Sequence, residues 1–466
     1  MSALLTYVVV GQRDSLNNEK KRLPVAMDMS NTAITLGLNT VWTVLTASMI
    51  FFMEGGFALL EAGFIRSKNH VSIIMKVLAD LVFGVLAFFG VGFGLMFGKN
   101  LGGVIGSSGF FLSGQLMHLP TTIPHAAFWL FQAAFAVAAI SIVSGAVAER
   151  MNFKAYLLYI LVMTAVIYPV SGHWVWGSGG WLGKLGMEDF AGSTVIHAMA
   201  GFAALAGAQL IGPRIGKFGT GGRQFSFAPS NLPLAAIGTF ILWFGWFGFN
   251  AGSTLNAEAS DISQIAVNTL LASIAGGGSA MLYTLFRNNH ADVGSTINGV
   301  LAGLVAITAG CAFVAPWAAL LIGAAAGIVM IFGTVWLERL RIDDPVGAFP
   351  VHGLNGVFGT LMVGLFAIKG GLFTTGHWHL LLVQLLGTVV ISIWGFGMTF
   401  VALKGIGVLV PLRVSEAEEE IGLDLSHHGT VAVYVENVRR SAPAHGSKRL
   451  PASGRTGLFF EESAES

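Results

Sequence analysis

Residues 189–201, DFAGSTVIHAMAG, and residues 344–356, DPVGAFPVHGLNG, share one pattern: an Asp, a Gly three residues later, a His at eight and a Gly at twelve. Each copy opens a long apolar stretch. Eight residues of helix rise about 12 Å, which approaches the middle of a hydrocarbon layer about 30 Å thick. Two helices that enter a membrane from opposite faces would therefore bring His197 and His352 together near its midplane. Ionisable side chains at that depth are costly and commonly line a pathway.

The composition is that of a membrane protein. Of 466 residues, 54% are hydrophobic and 11% are charged, whereas a soluble domain carries about 25% charged residues. The chain has room for about ten to twelve spans of about 20 residues, and its 62 glycines allow helices to pack closely. A net charge of +1 gives no argument for nucleic acid as a partner. The single cysteine, Cys311, excludes a disulfide framework and is expected to be a small core residue.

Apolar stretches separated by polar residues, Gly or Pro predict eleven transmembrane helices. They are placed at 37–64, 72–98, 123–148, 155–176, 190–212, 231–251, 262–286, 293–313, 316–338, 347–368 and 380–405. The predicted fold class is therefore an all-α integral membrane protein.

The distribution of basic residues predicts the orientation of the chain. With the N-terminus outside, the inner loops carry ten Lys or Arg residues and the outer loops carry three. Because positive charge concentrates on the cytoplasmic side, we predict a multi-pass protein of the cell (inner or plasma) membrane with an outside N-terminus and a cytoplasmic C-terminal tail. This orientation places three basic residues outside, which the rule does not favour: Lys20, Lys21 and Arg22.

The duplicated pattern gives the predicted fold an internal symmetry. Asp189 begins the fifth predicted span and Asp344 begins the tenth, so spans one to five and six to ten would form a five-plus-five inverted repeat. In such folds, binding sites lie near the midplane between the two halves. The predicted segments are an N-terminal extension at 1–35, the eleven-helix domain at 36–409, a cytoplasmic regulatory tail at 410–438 and a disordered C-terminus at 439–466.

The titratable residues of the pattern have different expected roles. A lone His in an apolar span is more often structural than part of a pathway, but two at matched depth reverse that expectation. One ring can donate to the other, which keeps both neutral and leaves edges for a small polar solute. A metal site is disfavoured, because two ligands are too few and no Cys or carboxylate lies at comparable depth. We expect Asp189, Asp343 and Asp344 to cap helices, with Asp189 also favouring a cation at an outer vestibule.

Aromatic residues are concentrated at three predicted outer span ends. The stretches are 128–135 (FWLFQAAF), 173–176 (HWVW) and 243–253 (WFGWFGFNAGS). An interfacial aromatic belt accounts for most of these rings. Their convergence beside Asp189 favours a site for some of them, because aromatic faces attract a desolvated cation by about 2 kcal/mol or more. The Ser253 hydroxyl could accept a hydrogen bond from that cation.

Taken together, these motifs resemble the ammonium transporter family (Amt/Mep/Rh). The resemblance runs from about Asn39 to about Glu436 and rests on residues 189–197 and 248–253, with further matches at AER (148–150), DDP (343–345) and GLDLSHHG (422–429). It implies an eleven-span protomer in a homotrimer, with a pore through each protomer.

The resemblance also implies an outer ammonium site. Trp176 and Ser253 would form it, with Phe131 nearby and Asp189 as the acid that supports it. The presence of both Trp176 and Ser253 favours the Amt branch, since the Rh branch generally lacks that pair.

Below the outer site, the resemblance implies a gate and a pore. Phe135 and Phe249 would stack as the gate, and His197 and His352 would be the twin histidines that line the pore. Trp246 would be a ring of the pore wall.

Two acidic residues of the first predicted span depart from some family members. Glu54 and Glu61 stand where those members have less acidic residues. A buried glutamate costs several kcal/mol if it is charged and alone, so each is expected to be neutral or paired.

The predicted function is an ammonium transporter or channel. Ammonium would bind at the outer aromatic site, lose its proton and cross as ammonia through an apolar pore, without a metal or cofactor. The resemblance implies a PII signal protein as a possible partner at the cytoplasmic tail. Two alternatives stay open: an ammonium sensor on the same fold and a neutral gas channel of the Rh kind. An enzyme is disfavoured, because no nucleophile, base and orienting group recur together.

Overall fold

The computed structural model describes residues 2–114, 119, 122–219, 223–258 and 260–432, with side chains from Thr32 onward. The backbone of the predicted extension at 1–35 is, where described, the start of the first helix. The predicted disordered segment at 439–466 lies outside the described residues.

Nearly all of the regular structure is helical. The main helices are α1 (Ser2–Phe64), α2 (Ser67–Phe97), α3 (His125–Ala146), α4 (Phe153–Val162, Met163–Ile167 and Tyr168–Trp176), α5 (Ser193–Ile211), α6 (Leu232–Gly252), α7 (Ile262–Asn288), α8 (Val293–Thr308), α9 (Pro316–Arg339), α10 (Phe349–Phe366), α11 (His379–Leu409), α12 (Glu416–Ile421) and α13 (Leu423–His428). One-turn helices at Trp181–Lys184 and Leu372–Thr375, and an antiparallel hairpin of β1 (Asn100–Leu101) and β2 (Ile105–Gly106), lie in the connections.

Ten helices of the described part of the chain are long and apolar enough to cross a membrane, namely α1 from Thr32, α2 to α7 and α9 to α11. The prediction of an all-α membrane protein is therefore confirmed. The predicted span at 293–313 corresponds to α8, an apolar helix of 16 residues. That is shorter than the roughly 20 residues that a helix normally needs to span a bilayer.

Two of the helices begin with a π-helical turn. These turns are Ser193–Ala198 in α5 and Phe349–Leu354 in α10, and they contain His197 and His352. A π-turn is rare in helices and occurs often at functional sites. The sequence pattern that occurs twice therefore has the same local structure twice.

Glycines allow α5 and α10 to cross with their backbones in contact. A Cβ atom on Gly201 of α5 would lie 2.2 Å from the backbone nitrogen of Gly353 in α10. A Cβ atom on Gly356 would lie 2.3 Å from the carbonyl oxygen of Ser193. Small residues serve this purpose in membrane bundles generally, because they remove the side chains that would keep two helices apart.

A buried ion network lies at the face that is predicted to be cytoplasmic. Glu149 accepts from Arg66 and from Arg214, whose Nη1 is 2.5 Å from the carboxylate. Arg214 also donates to Asp343 from Nε at 2.8 Å and from Nη2 at 2.9 Å. The expectation that Asp343 caps a helix is therefore wrong, because its carboxylate is occupied by Arg214. Burial opposes ionisation of Asp343, but hydrogen bonds and charges from Arg214 and Arg150 outweigh it and keep the Asp343 pKa below its usual range.

The described part of the predicted tail packs on this same face. The Glu419 carboxylate accepts from the backbone N–H of Ile215 and from Arg413, both at 2.7 Å. The Asp424 carboxylate accepts from the backbone N–H of Ser72 at 2.8 Å. Lys68 donates to the carbonyl oxygen of Glu419 at 2.7 Å. The tail is thus bonded to the start of α2 and to the connection that follows α5.

The crossing of α5 and α10 can be tested with one methyl group. We expect Gly201→Ala to lower the free energy of unfolding by about 1–3 kcal/mol or more, because overpacking moves a backbone that has no room to shift. Thermal unfolding of the detergent-solubilised protein, followed by intrinsic fluorescence, measures the change. Gly397→Ala in α11 is the matched control, since a Cβ atom there meets nothing within 4 Å. Equal unfolding midpoints for the two variants would contradict this packing.

Candidate functional site

A large cavity lies where α3 begins and where α4 and α6 end. Its volume is about 520 Å³. It is lined by Phe97, Leu119, Phe128, Phe131, Gln132, Phe135, Trp176, Ser178, Phe190, Ser253 and Leu255. The three aromatic span ends of the sequence therefore converge on one vestibule, which is mostly apolar with a few polar groups.

Hydrogen bonds orient two of the predicted binding residues. Trp176 Nε1 donates to the carbonyl oxygen of Asp189 at 2.8 Å, which holds the indole ring in place. The Ser253 hydroxyl donates to the carbonyl oxygen of Phe249 at 2.7 Å. Because that hydroxyl uses its only proton within α6, its lone pairs can accept a hydrogen bond from a donor in the vestibule.

Phenylalanine rings close the inner end of the vestibule. The ring centroid of Phe135 is 4.8 Å from that of Phe131, 5.9 Å from that of Trp176 and 4.3 Å from that of Phe249. The rings of Phe135 and Phe249 are tilted by 34° and both are buried. The vestibule is therefore separated from the next layer by two touching rings.

The two histidines lie directly beyond these rings. The ring of His197 stacks on Phe249 with centroids 5.5 Å apart and on Trp246 with centroids 5.1 Å apart. His352 Nδ1 is 3.2 Å from His197 Nδ1. One of these nitrogens must donate and the other accept, so the hydrogen bond requires at least one ring to be neutral, and burial of both favours two neutral rings. Within the described residues, His197 Nε2 has no hydrogen-bond partner.

Asp189 and Asp344 position the histidines through the backbone. The Asp189 carboxylate accepts from the N–H groups of Gly192, Thr194 and Val195 at 2.8–3.0 Å. Asp344 accepts from Gly347 and Phe349 in the same way, at 3.1 and 2.8 Å. Each carboxylate satisfies N–H groups that the first turn of a helix leaves unpaired.

Gly192 and Gly347 make this cap possible in both copies. Their φ values are 112° and 78°, a region that residues with a Cβ atom rarely adopt. The sequence pattern of Asp, Gly and His thus describes a cap, a left-handed turn and a π-helical histidine.

A small cavity lies on the other side of the histidine pair. Its volume is about 20 Å³, and His352, Glu61 and Asn298 are its polar lining. The sequence analysis expected no carboxylate near the depth of the histidines, whereas Glu61 lines the same cavity as His352. Glu61 lies in α1 and His352 in α10, so the sequence alone does not indicate that they line one cavity.

The acidic residues of α1 are paired with hydroxyl groups. Ser144 donates to the carboxyl group of Glu61, with both oxygens 2.7 Å from its Oγ. Ser141 donates to Glu54 at 2.7 Å. Both glutamates are buried, so the expectation that each is neutral or paired agrees with this geometry.

Sequence reasoning missed Gln132 and Phe190 as vestibule residues. Gln132 is buried, lines the cavity, and its Oε1 has no hydrogen-bond partner among the described residues. Helical spacing from Phe128, Phe131 and Phe135 could have indicated it, since residues three and four apart share a face. Phe190 follows the capping Asp189, and nothing in the sequence indicates that its side chain points into the vestibule.

The described residues contain no group of three or more His, Cys, Asp or Glu side chains that could hold a metal ion.

The fold and this layered arrangement define a polytopic helical membrane protein with a stack of buried rings between two cavities. The model of the Ammonium Transporter Family matches residues 41–433. The chain belongs to that family.

Relatives with known names agree with this assignment. The ammonium transporter Amt2 of Archaeoglobus fulgidus is 46% identical over 418 residues, which cover 85% of this chain and 88% of that protein. The ammonium transporter Amt1 of Haloferax mediterranei is 37% identical over 442 residues, covering 91% of this chain and 84% of that protein.

Solved structures have the same fold. A structure named Sensor Amt Protein matches with a TM-score of 0.81 at 41% identity, covering 85% of this chain and 99% of its own. Mep2 of Candida albicans matches with a TM-score of 0.76 at 31% identity, covering 82% and 87% respectively.

The cap at Asp189 can be tested by its stability. Asp189→Ala leaves three buried N–H groups unpaired, and each costs about 1–3 kcal/mol. We expect a larger loss of unfolding free energy than for Asp292→Ala, whose carboxylate accepts from only the Ser295 N–H at the start of α8, a cap worth about 0.5–2 kcal/mol. Thermal unfolding in detergent compares the two. A smaller loss for Asp189→Ala would show that the cap does not fix the start of α5.

Proposed function

We propose that this protein is an ammonium transporter of the cell membrane that conducts ammonia past twin histidines. The observation that carries the proposal is the 3.2 Å contact between His197 Nδ1 and His352 Nδ1, directly beneath the Phe135 and Phe249 rings that close a vestibule. Neutral imidazoles in an apolar path offer hydrogen-bonding edges to a small neutral solute and no counter-charge to an ion.

Ammonium is proposed to bind first in the vestibule. Trp176 and Phe131 present aromatic faces, and such faces attract a desolvated cation by about 2 kcal/mol or more. The lone pairs of the Ser253 hydroxyl can accept one N–H bond of the ion. The buried Asp189, whose carbonyl oxygen orients the indole, adds negative potential on the same side.

The ion is then proposed to lose its proton before it passes Phe135 and Phe249. Beyond these rings the path is narrow and apolar, and a charge without water is heavily penalised there. Ammonium can give its proton to water of the outer solution, whereas potassium has none to lose. This difference would exclude potassium without a filter of carbonyl oxygens. Trp246, whose Nε1 donates to Thr308 at 2.9 Å, forms the wall beside His197.

The proposed assembly has eleven spans in a five-plus-five inverted repeat, with α8 as the shortest span. The matching caps and π-turns of α5 and α10 support this symmetry. The distribution of basic residues supports an outside N-terminus and a cytoplasmic tail, and the family resemblance supports a homotrimer.

A second candidate function is ammonium sensing on the same fold. The likeness to the structure named Sensor Amt Protein favours it, and a tail bonded to the helix ends offers a route by which occupancy of the path could reach a partner. A neutral gas channel of the Rh kind is less well supported, because this chain has both Trp176 and Ser253.

The transport proposal predicts flux that depends on the histidines and on the vestibule. In proteoliposomes, we expect ammonium-evoked current or uptake of labelled methylammonium, with His197→Ala and His352→Ala strongly altering the rate. Trp176→Ala is expected to raise the concentration for half-maximal rate, with a loss of affinity of roughly 2 kcal/mol from the missing cation–π contact.

Trp317→Ala is a suitable control, because that ring is 56% exposed in α9 and lies outside the vestibule lining. Ammonium binding without flux in the unchanged protein would favour the sensor. Unaltered flux in both histidine variants would rule out the proposed pore.

A PII signal protein is the proposed partner of the tail. The tail residues from Glu416 to His428 form two helices that are bonded to the inner loops, so a partner seated on them would stand over the inner openings. We expect the intact protein to retain PII in a pull-down and a variant that ends at Val410 to lose it. Equal retention by both would refute a tail-based contact.

A further inference from the structure

The inner cavity has room for one small polar molecule. Its volume of about 20 Å³ exceeds the roughly 10–15 Å³ that a single water molecule requires. Ammonia is of similar size to water. The cavity is otherwise lined by apolar side chains of α1, α3, α8 and α10, so its few polar groups determine what a guest can bond to.

Glu61 is the only carboxyl group in this lining. It is 2% exposed, and the hydroxyl group of Ser144 in α3 donates a hydrogen bond to its carboxyl group. His352, the inner member of the histidine pair, lines the same cavity. A solute that leaves the histidines on the inner side would therefore enter a space lined by the Glu61 carboxyl group and the Asn298 amide.

Opposing influences act on the charge of Glu61. The charged or titratable groups that act on it are Lys76 of α2, Glu54 of α1, Asp344 before α10 and His352 of α10. Burial disfavours an unpaired carboxylate there, whereas the hydrogen bond from the Ser144 hydroxyl supports one. No ion pair shorter than 4 Å includes Glu61 among the described residues, so neither form is locked in place.

Neighbouring carboxyl groups keep net charge low around Lys76. Ser141 donates to Glu54 at 2.7 Å and lies 3.3 Å from an Asp80 oxygen, and Tyr156 donates to Asp80 at 2.9 Å. No ion pair shorter than 4 Å joins Lys76 to Glu54, Glu61 or Asp80 among the described residues. Because uncompensated buried charge is costly, retained protons on these carboxyl groups lower the cost of burying them, and Glu61 is the member that lines the cavity.

We propose that Glu61 exchanges a proton with the solute at the inner mouth, an inference that rests on the proposed transport of ammonia. In the inward direction, the O–H bond of the Glu61 acid breaks and an N–H bond forms on ammonia. The products, ammonium and the Glu61 carboxylate, form an ion pair, and their mutual attraction offsets part of the cost of burying each charge. The carboxylate then regains a proton from a hydronium ion of the inner solution. The outward direction reverses each step.

Transport by Glu61→Gln tests the proposal, because glutamine keeps the size of the side chain and cannot exchange a proton. General acid–base groups accelerate proton transfers by about 10²–10⁴-fold in enzymes, so we expect the initial rate of methylammonium uptake to fall at least about tenfold. The concentration for half-maximal rate should stay unchanged, since the vestibule is intact. In the unchanged protein the rate should fall as internal pH rises through the titration of Glu61, and in Glu61→Gln this dependence should vanish.

Two further variants separate proton exchange from structure. Glu61→Asp should recover part of the rate and the dependence on internal pH. Glu54→Gln is the matched control, because it removes a buried carboxyl group of the same helix that does not line the cavity. It should retain the dependence on internal pH that Glu61→Gln loses, although its rate shifts because Glu54 acts on the charge of Glu61. Normal rate and pH dependence in Glu61→Gln would overturn the proposal, and so would a slow rate that keeps the normal pH dependence.

Infrared spectroscopy keeps the proposal testable if the unchanged protein shows no flux, which would refute transport but not proton exchange. Addition of ammonium should change the carbonyl-stretch band of a protonated carboxyl group. This change should be present in the unchanged protein and in Glu54→Gln, and absent in Glu61→Gln. An ammonium-induced change that persists in Glu61→Gln, or none in the unchanged protein, would overturn the role of Glu61.

Discussion

The close crossing of α5 and α10 is the constraint on which the rest of the structure depends. His197 and His352 can come within hydrogen-bonding distance only if the two backbones touch, and Gly201, Gly353 and Gly356 provide that contact. The rings of Phe249 and Trp246 then stack on His197 and fix the path above it. A side chain at any of these glycines would separate the helices and the histidines with them.

Charge in this protein is arranged by depth. The cluster of Glu149, Arg214 and Asp343 at one face contains compensated ions. The interior pairs its carboxyl groups with hydroxyl groups instead, as Ser144 does for Glu61. Such pairing costs less than an isolated ion in a medium of low dielectric constant. The path between the two cavities can therefore remain apolar although several titratable residues surround it.

Much of the fold could be predicted, because membrane-spanning helices appear in the sequence as long apolar stretches. The spacing of Asp189, His197 and Gly201 occurs again in the sequence of α10. That repetition alone predicted two related helices. The π-turns at the starts of α5 and α10 could not be predicted, because no residue composition or spacing in the sequence marks a π-turn.

The candidate site was predictable where residues share one helix and not where distant helices meet. The family resemblance implied Phe131 and Phe135, which are four residues apart on α3, and one helix presents residues at that spacing on one face. Glu61 and His352 come from α1 and α10, and only tertiary packing brings them to one cavity. Asp343 was misjudged for the same reason, since its partner Arg214 lies far away in the sequence.

The two cavities differ in how many small molecules they can hold at once. The vestibule, at about 520 Å³, can hold many molecules at once, since each water in the liquid takes up about 30 Å³. The space beyond His352, at about 20 Å³, admits one. Two molecules cannot pass each other there, so each arrival must wait for a departure. If the proposed transport runs through this space, a water molecule that rests in it competes with the solute, and its residence time limits the rate whatever the affinity of the vestibule.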